Sequence, residues 1–311
     1  MMKYALIFPG QGSQSLGMLS DLADNFISVK ATFEEASDVL GFDLWKLTQE
    51  DQDGLNQTQN TQPAMLAAGY ATYQILSNEA DLSPVCMAGH SLGEYTALVA
   101  AGALGFADGI QLVHTRAELM QSAVPVGVGA MAAILGLEDE AVIKVCAEYS
   151  GEGIVEAVNF NANGQVVIAG NKVAVDASCE AMKIAGAKRA VVLPVSVPSH
   201  CSLMNDAATV FANAVQNVKF KMGNIDVLHN VDAKIATDAD DIRAKLVAQL
   251  HKPVLWTGTV QTMHGMGVEK LIEVGPGKVL TGLTRRIEKS LTANALLTAE
   301  NVATTLKEIQ E

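Results

Sequence analysis

Basic residues are scarce in this 311-residue chain, and none of them forms a run of the kind that binds nucleic acid. The chain has 21 lysines and arginines against 34 aspartates and glutamates, which gives a formal net charge of −13. Nucleic acids and anionic membranes are polyanions, and proteins that bind them carry clustered positive charge. We therefore expect neither a nucleic-acid partner nor a membrane partner.

Cysteines and long apolar segments are also few. The four cysteines are scattered and no pair has C-x-x-C spacing, which predicts reduced thiols and no disulfide or zinc framework. The uncharged stretch Tyr95–Ala107 is well below the roughly 20 residues that a membrane span requires. The first residues are too strand-like for a signal peptide. We expect a cytoplasmic protein without a metal framework.

Apolar residues are plentiful, at 49% of the chain, enough for one large domain with a smaller one inserted, or for two domains. Between 130 and 194 the pattern runs strand, helix, strand, a turn at Asn161-Ala-Asn-Gly, strand, helix, strand. This is the βαββαβ order of the ferredoxin-like unit. We predict an α/β protein with a large subdomain, 1–126 and 198–311, and a ferredoxin-like small subdomain, 127–197.

The stretch Gly89-His-Ser-Leu-Gly has the G-x-S-x-G pattern of a nucleophile elbow. Val85–Ala88 predicts a buried strand before it, and residues 94–104 predict a helix after it. Such a turn would expose Ser91 at the helix N-terminus, where free N–H groups favour negative charge. An ordinary glycine turn with a capping serine fits the same residues. Catalysis would therefore need a base and an oxyanion hole from elsewhere in the chain.

A second glycine-containing loop, Pro9-Gly-Gln-Gly-Ser-Gln, follows the apolar run Tyr4–Phe8. That run predicts a central strand of a mostly parallel sheet. The loop does not match the dinucleotide fingerprint, because the spacing is wrong and no acidic residue ends a second strand about 20 residues on. In elbow enzymes the second oxyanion donor comes from such a loop. Gln11 is therefore a candidate, and a simple polar turn is the alternative.

Arg116 lies on a predicted amphipathic helix, one turn from Leu112 and Leu119 and so near its buried side. Position alone favours an ion pair, for instance with Glu118 or another carboxylate. The alternative is a clamp for an anionic substrate group, because a guanidinium fork matches a carboxylate bidentately.

His200 lies at the predicted boundary of the small subdomain, just before or within the first turn of a helix expected from about 203 to 217. A helix N-terminus disfavours imidazolium, so His200 would stay neutral and could act as a base. A capping or surface role is the alternative. The neighbouring Cys201 fits a small packing residue better than a nucleophile.

The other elements follow from caps and apolar runs. A helix is expected from Thr61 as N-cap, with Pro63 in its first turn, to about Leu76. Further expectations are strands at 225–231 and 271–274, a helix at 242–250, a Gly-Pro-Gly turn with a helix after it, and a terminal helix or tail at 301–311.

Several motifs together resemble the malonyl-CoA:acyl-carrier-protein transacylases, in particular the stand-alone bacterial type of fatty acid synthesis. Three carry most of the resemblance: Phe8-Pro-Gly-Gln-Gly-Ser-Gln, Gly89-His-Ser-Leu-Gly-Glu and Pro198-Ser-His. The others, in order over nearly the whole length, are Thr61-Gln-Pro-Ala, Arg116, Asn159-Phe-Asn, Gln165-Val-Val-Ile-Ala-Gly, Gln249-Leu with the following Lys-Pro-Val, and Glu273-Val-Gly-Pro-Gly. The resemblance implies an α/β-hydrolase-like core.

The resemblance implies ping-pong transfer of a malonyl group from malonyl-CoA to the phosphopantetheine thiol of holo acyl carrier protein. Ser91 would attack the thioester and His200 would take its proton. The backbone N–H groups of Gln11 and Leu92 would hold the oxyanion. The main-chain carbonyl of Gln249 would orient His200 in place of a carboxylate.

The resemblance also implies a substrate pocket. Arg116 becomes the clamp for the malonyl carboxylate, which reverses the preference from position alone. Gln62 would line the same pocket, and His90 and Asn159 would support the site. We expect a monomer that needs no cofactor beyond its thioester substrates.

Two anionic substrates must bind a chain of net charge −13, so a local basic patch is needed. The candidates are Lys188-Arg189, Lys278 and Arg285-Arg286, and Arg189 is the first choice for the CoA phosphates. The alternative for each is a solvated surface charge.

Two other functions remain open. A serine esterase or thioesterase of the α/β-hydrolase type would share the elbow, but it would usually place an acid between nucleophile and histidine and has no need of Arg116. A non-catalytic docking module for a carrier protein is the other, and the intact Ser91, His200 and Arg116 argue against it.

Overall fold

The computed structural model describes residues 2–195 and 197–310. Predictions that fall on residues 1, 196 and 311, namely the two ends of the large subdomain and one residue of the small one, lie outside the described residues. None of the described helices is both long enough and apolar enough to cross a membrane.

The described strands form two separate sheets. They are β1 (Tyr4–Phe8), β2 (Met87–Gly89), β3 (Gly129–Leu135), β4 (Val155–Ala162), β5 (Gln165–Asn171), β6 (Arg189–Val192), β7 (Val227–Leu228), β8 (Lys270–Glu273) and β9 (Thr292–Ala295).

The described helices cover the larger sheet and one face of the smaller. They are α1 (Ser20–Asn25), α2 (Ile27–Leu40), α3 (Leu44–Glu50), α4 (Gln52–Leu55), α5 (Thr58–Glu79), α6 (Gly93–Ala100), α7 (Phe106–Ser122), α8 (Asp139–Glu148), α9 (Lys172–Ile184), α10 (Asn205–Gln216), α11 (Ala239–Gln249), α12 (Trp256–Gly265), α13 (Val279–Ile287) and α14 (Ala299–Gln310). A 3₁₀ turn, Ser202–Met204, precedes α10.

The larger sheet is parallel throughout, in the order β7-β2-β1-β8-β9. Every residue of β1 is buried, as expected for a central strand covered on both faces. Phe8 pairs with Gly89, so the loops that follow β1 and β2 leave the same edge of the sheet side by side. Ligands of open parallel sheets bind at this carboxyl edge.

The smaller sheet is antiparallel, in the order β4-β5-β3-β6, and its chain order with α8 and α9 is βαββαβ. This is the ferredoxin-like arrangement. The predicted fold class, a mostly parallel α/β core with an elbow plus this unit, is therefore confirmed. The predicted subdomain boundaries remain a prediction.

The helix α5 is buried along most of its length and begins at Thr58, before the predicted start at Thr61. Pro63 consequently lies inside the helix and not in its first turn. A proline has no N–H to offer the carbonyl four residues earlier. Here that carbonyl, on Gln59, accepts a hydrogen bond from His114 Nδ1 at 3.1 Å, which explains why the helix continues through the proline.

Several strands differ in extent from the prediction, and one was not predicted; β2, for instance, is Met87–Gly89 and not Val85–Ala88. The turn after β4 contains only Asn163 and Gly164, a two-residue hairpin sequence, so Asn161 belongs to the strand and not to the turn. The strand expected at 225–231 shortens to β7. The strand β9 lacks the apolar pattern that would have identified it.

Candidate active site

The elbow joins β2 to α6 and places Ser91 at its tip with a left-handed backbone, φ 50°. Both motif glycines are required by close contacts. A Cβ added at Gly89 would lie 1.8 Å from the carbonyl carbon of Gly93, and one added at Gly93 would lie 2.0 Å from the carbonyl oxygen of Phe8. The strand, turn and helix are thus packed too tightly for any side chain at these two positions.

Ser91 and His200 are in direct contact although 109 residues separate them. Ser91 Oγ lies 2.8 Å from His200 Nε2. His200 Nδ1 lies 2.6 Å from the main-chain oxygen of Gln249. A carbonyl oxygen only accepts, so Nδ1 carries the proton and Nε2 is left to accept the serine O–H. Gln249 is the last residue of α11, which presents this carbonyl.

His200 is almost fully buried and lies in the turn before the 3₁₀ helix, with φ 67°. Its N–H donates to the carbonyl of Leu250, which fixes the turn. Burial, and secondly the positive charge of Arg116, lower the pKa of His200 to about 3. The imidazole is therefore neutral at pH 7, as expected, but burial causes this and not the helix N-terminus that the sequence suggested.

Arg116 is 1% exposed and sits over the ring of Tyr95. Its Nη1 donates to Gln62 Oε1 at 2.7 Å, and its Nη2 donates to Ser91 Oγ at 3.2 Å and to Gln249 Oε1 at 2.9 Å. Glu118 is exposed and pairs with His114 instead. Within the described ranges no carboxylate comes within ion-pair distance of Arg116, so the ion pair that position alone favoured is not found.

Gln11 and Leu92 lie at adjoining positions beside Ser91. Gly10 packs so closely on the elbow that an added Cβ would lie 2.4 Å from the His90 carbonyl oxygen and 3.7 Å from Leu92 N. Leu92 precedes the first residue of α6, where backbone N–H groups have no helical partner. Neither backbone N–H, of Gln11 or of Leu92, finds an acceptor in 2–195 and 197–310.

His90 and Asn159 occupy different surroundings. His90 Nε2 lies 2.7 Å from Asn161 Oδ1, and its ring packs beside Trp256. In the described part of the chain the Asn159 side chain is hydrogen-bonded to neither Ser91 nor His200, and its Oδ1 is buried without a partner. The asparagine that holds His90 is thus Asn161, which the sequence placed in a turn.

Arg189 begins β6 and is exposed. It pairs across the sheet with Leu135, which pairs in turn with Gln165. Side chains of directly opposed residues share a face, so Arg189 lies on the face that carries Gln165. Further along, the same face contributes Met131 and Val167 to a cluster with Cys201, next to His200.

Three buried polar residues that the sequence did not suggest surround the elbow. Asn230 Oδ1 accepts from Ser91 N at 2.7 Å, and its Nδ2 donates to the Gly89 carbonyl at 2.7 Å. Glu94 accepts from His229 Nδ1 at 2.7 Å. The glutamate of the motif Gly-His-Ser-Leu-Gly-Glu was the available signal for Glu94. His229 and Asn230 follow a weak strand and carried none.

The described residues contain no cluster of side chains suited to bind a metal ion. No group of three or more histidine, cysteine, aspartate or glutamate side chains comes together among residues 2–195 and 197–310.

Fold and site together define a serine-nucleophile enzyme of the acyl-transferring class. The family described as acyl transferase domain matches residues 5–308. The chain belongs to this family, and the resemblance predicted from its motifs is confirmed.

Similar proteins carry a more specific description. A malonyl CoA-acyl carrier protein transacylase of Escherichia coli (strain K12) is 53% identical over 297 residues, covering 95% of this chain and 96% of the relative. A solved malonyl-transacylase in complex with a holo type II PKS acyl-carrier protein is 50% identical, with a TM-score of 0.97 and coverage of 98% and 99%. An acyl carrier protein S-malonyltransferase from Vibrio cholerae is 52% identical, with a TM-score of 0.95 and coverage of 97% and 99%.

Proposed function

We propose that this chain transfers the malonyl group of malonyl-CoA to the phosphopantetheine thiol of acyl carrier protein, for fatty acid synthesis. The observation that carries the proposal is the position of Arg116. A buried guanidinium that has no carboxylate partner among the described residues lies 3.2 Å from the oxygen of a serine that is paired with a neutral histidine. An acyl group with a free carboxylate matches that arrangement, and an uncharged acyl group leaves the cation unused.

In the first half-reaction Ser91 Oγ attacks the thioester carbonyl while His200 Nε2 takes the serine proton. The backbone N–H groups of Gln11 and Leu92 donate to the oxygen that becomes negative. The C–S bond then breaks, His200 returns the proton to the CoA sulfur, and a malonyl ester remains on Ser91. The main-chain oxygen of Gln249 holds the imidazole in the tautomer that both proton transfers need.

In the second half-reaction the thiol of the carrier protein gives its proton to His200 and attacks the ester. The bond between the malonyl carbonyl carbon and Ser91 Oγ breaks, and the serine oxygen recovers the proton from His200. The same groups therefore serve both halves, as ping-pong transfer requires. His90 is held by Asn161 and Gln62 is bound to Arg116. Both support the pocket in which the acyl group is transferred.

Arg116 would hold the malonyl carboxylate. Three hydrogen bonds already fix the guanidinium, to Gln62, Ser91 and Gln249. Its Nε is buried and has no partner within the described residues, so donors remain for a substrate carboxylate. We expect Arg116→Ala to lose malonyl selectivity while the transfer of uncharged groups is retained or improved.

Arg189 would hold the phosphates of CoA. It lies at the open end of the small-sheet face that packs beside His200. At the same level of the sheet Gln165 accepts from Arg286 Nη1 at 2.5 Å, which brings a second predicted cation to this end. The predicted subdomains, 1–126 with 198–311 and 127–197, would thus form the two walls of the substrate cleft.

The cytoplasm is our proposed location. The four cysteines are free and buried, which fits a reducing compartment.

The test is intact mass after brief mixing with malonyl-CoA, for the wild type and for Ser91→Ala. We expect one malonyl adduct on the wild type and none on the variant. Holo carrier protein should discharge the adduct much faster than water, whereas apo carrier protein, which lacks the thiol, should not. An adduct lost at one rate with or without the holo carrier would indicate a hydrolase. No adduct with CoA still bound would indicate a docking module.

A further inference from the structure

The buried carboxylate of Glu94 accepts hydrogen bonds from three N–H groups beneath the elbow. Its Oε1 accepts from His229 Nδ1, and its Oε2 accepts from the backbone N–H of Asn230 at 3.0 Å and from Gln249 Nε2 at 2.8 Å. Glu94 is 0% and His229 1% exposed. None of these contacts reaches the reacting atoms, so the mechanism above does not use them.

Acceptors on one side decide which way the Gln249 amide points. Its Nε2 donates to Glu94 Oε2 at 2.8 Å, to the main-chain oxygen of Ser91 at 2.9 Å and to Asn230 Oδ1 at 3.3 Å. An ionised carboxylate and a main-chain carbonyl can only accept, so Gln249 must turn its NH₂ group towards them. Its carbonyl oxygen then faces the opposite way, where it accepts from Arg116 Nη2. If the amide were reversed, its NH₂ would face the guanidinium, two donors would meet, and Arg116 would lose this acceptor.

The same arrangement partly balances the charge of Arg116 without filling the position on the guanidinium where a substrate carboxylate would bind. A carboxylate bound directly to the guanidinium would take the position that a substrate carboxylate needs. Glu94 instead acts through one intervening amide, and its negative charge counters the lowering of the Arg116 pKa that burial causes. The cation is thus held and partly compensated, while its contact with a carboxylate is left for the substrate.

We propose that the Gln249 side-chain amide, fixed in orientation by Glu94 together with the Ser91 main-chain oxygen, is a positioning group that sets the Arg116 fork for carboxylate recognition. This inference rests on the proposed function. It gives Gln249 a second role, because its main-chain oxygen orients His200 and its side chain orients Arg116.

Gln249→Met tests the proposal, since methionine nearly matches glutamine in shape, cannot hold the guanidinium, and leaves the main-chain carbonyl in place. The measured quantity is the ratio of second-order acylation rate constants for malonyl-CoA and acetyl-CoA. This ratio does not depend on how much of the protein is active. We expect it to fall about tenfold, the effect of one lost hydrogen bond to a charged group. A ratio within twofold of the wild type overturns the proposal.

Glu94→Asp tests the fixing carboxylate separately and decides the question if Gln249→Met does not fold. It keeps the charge but shortens the reach to Gln249, so the ratio should fall in the same direction. In the Gln249→Met background Glu94→Asp should change the ratio no further, because the link to Arg116 is already absent. A ratio unchanged by Glu94→Asp alone, or an additive double variant, would contradict the proposed link.

Glu308→Gln is the matched control. It removes the carboxylate of a partly buried ion pair with Lys270, remote from the elbow. It should lower the melting temperature and leave the ratio unchanged. If the wild type itself forms no malonyl ester, the proposed function fails. If the wild type forms the ester and Gln249→Met leaves the malonyl-to-acetyl ratio unchanged, only this inference fails.

Discussion

At the scale of single residues, His200 and Arg116 are both desolvated, and the charge of Arg116 influences the protonation of His200. Burial is the larger cause of the lowered His200 pKa, and the charge of Arg116 is the second. A base that is neutral across the working pH range accepts the serine proton without first losing one of its own.

This lowered pKa predicts an unusual pH profile. With a His200 pKa of about 3, against an ordinary 6.5, protonation of the base sets in only far below neutrality. The acylation kcat/KM should therefore stay flat from pH 8 down to about 5, where an ordinary histidine would be mostly protonated. Arg116→Ala removes the second cause, so its acid limb with acetyl-CoA should move to higher pH. Rapid-quench acylation rates measured across pH give the profiles of the wild type and of Arg116→Ala. A wild-type rate that falls with an apparent pKa near 6.5 would refute the expectation.

Ser91 could be predicted from the elbow motif, whereas the roles of His200 and Arg116 came from the family resemblance, because position alone left a capping role for one and favoured an ion pair for the other. Asn161 and Asn230 could not be predicted. A single asparagine in a strand or loop has no sequence pattern, and its partner depends on which backbone group the fold brings within 3 Å. The difference between Asn159 and Asn161 shows this. Both belong to the same Asn-Phe-Asn motif, yet among the described residues Asn161 is the one of the two that is hydrogen-bonded to His90.

At the scale of elements, the elbow depends on how closely α6 approaches the end of β1. Gly93→Ala would drive a methyl group into the Phe8 carbonyl, so the helix start would have to move. We expect a loss of about 2–4 kcal/mol in the free energy of unfolding, and slower acylation because Ser91 moves with the turn. Urea denaturation gives the first quantity and intact-mass kinetics the second.

Gly282→Ala is the control for that substitution. Gly282 is exposed on α13, and an added Cβ would contact nothing within 4 Å. Alanine there should stabilise the fold by about 0.5–1 kcal/mol through helix propensity, with acylation unchanged. Equal effects of the two substitutions would show that the close contact at Gly93 is unimportant.

Element types were predictable over most of the chain, whereas several boundaries were not. The long periodic helices and the apolar strands β1 and β3 follow from their patterns. The start of α5 did not, because the proline rule assumes an isolated helix, and here a histidine from α7 replaces the lost donor. The strand β9 was missed because its half-buried residues, Thr-Ala-Asn-Ala, resemble a loop.

At the scale of the whole molecule, the net charge of −13 opposes both anionic substrates, so local cations must compensate. Removing one cation from the cleft wall should therefore matter more than removing one elsewhere. The order βαββαβ could be predicted from the sequence, but the sheet register that sets Arg189 level with Gln165 could not, because it depends on cross-strand pairing.

Arg189→Ala should raise the KM for malonyl-CoA about threefold with little change in kcat, as expected for an exposed ion pair. The KM for malonyl-pantetheine, which has no phosphates, should not change. Lys183→Ala removes the same charge from the same subdomain, where the lysine is paired with Glu180, and should leave both values unchanged. Steady-state kinetics with the two substrates decides, and equal shifts for both substrates would exclude a phosphate contact.

The left-handed backbone at Ser91 and His200 has a consequence for how such a chain would change over time. Side chains other than glycine are disfavoured there, by roughly 1–2 kcal/mol per residue, so the two reacting groups lower the stability of the protein that carries them. If a duplicated copy were freed from its chemical task, glycine at position 91 would be the stabilising replacement, whereas at the buried position 200 the cavity left by the imidazole would offset the gain. Glycine at position 91 would therefore identify a descendant that has kept the fold and abandoned the reaction.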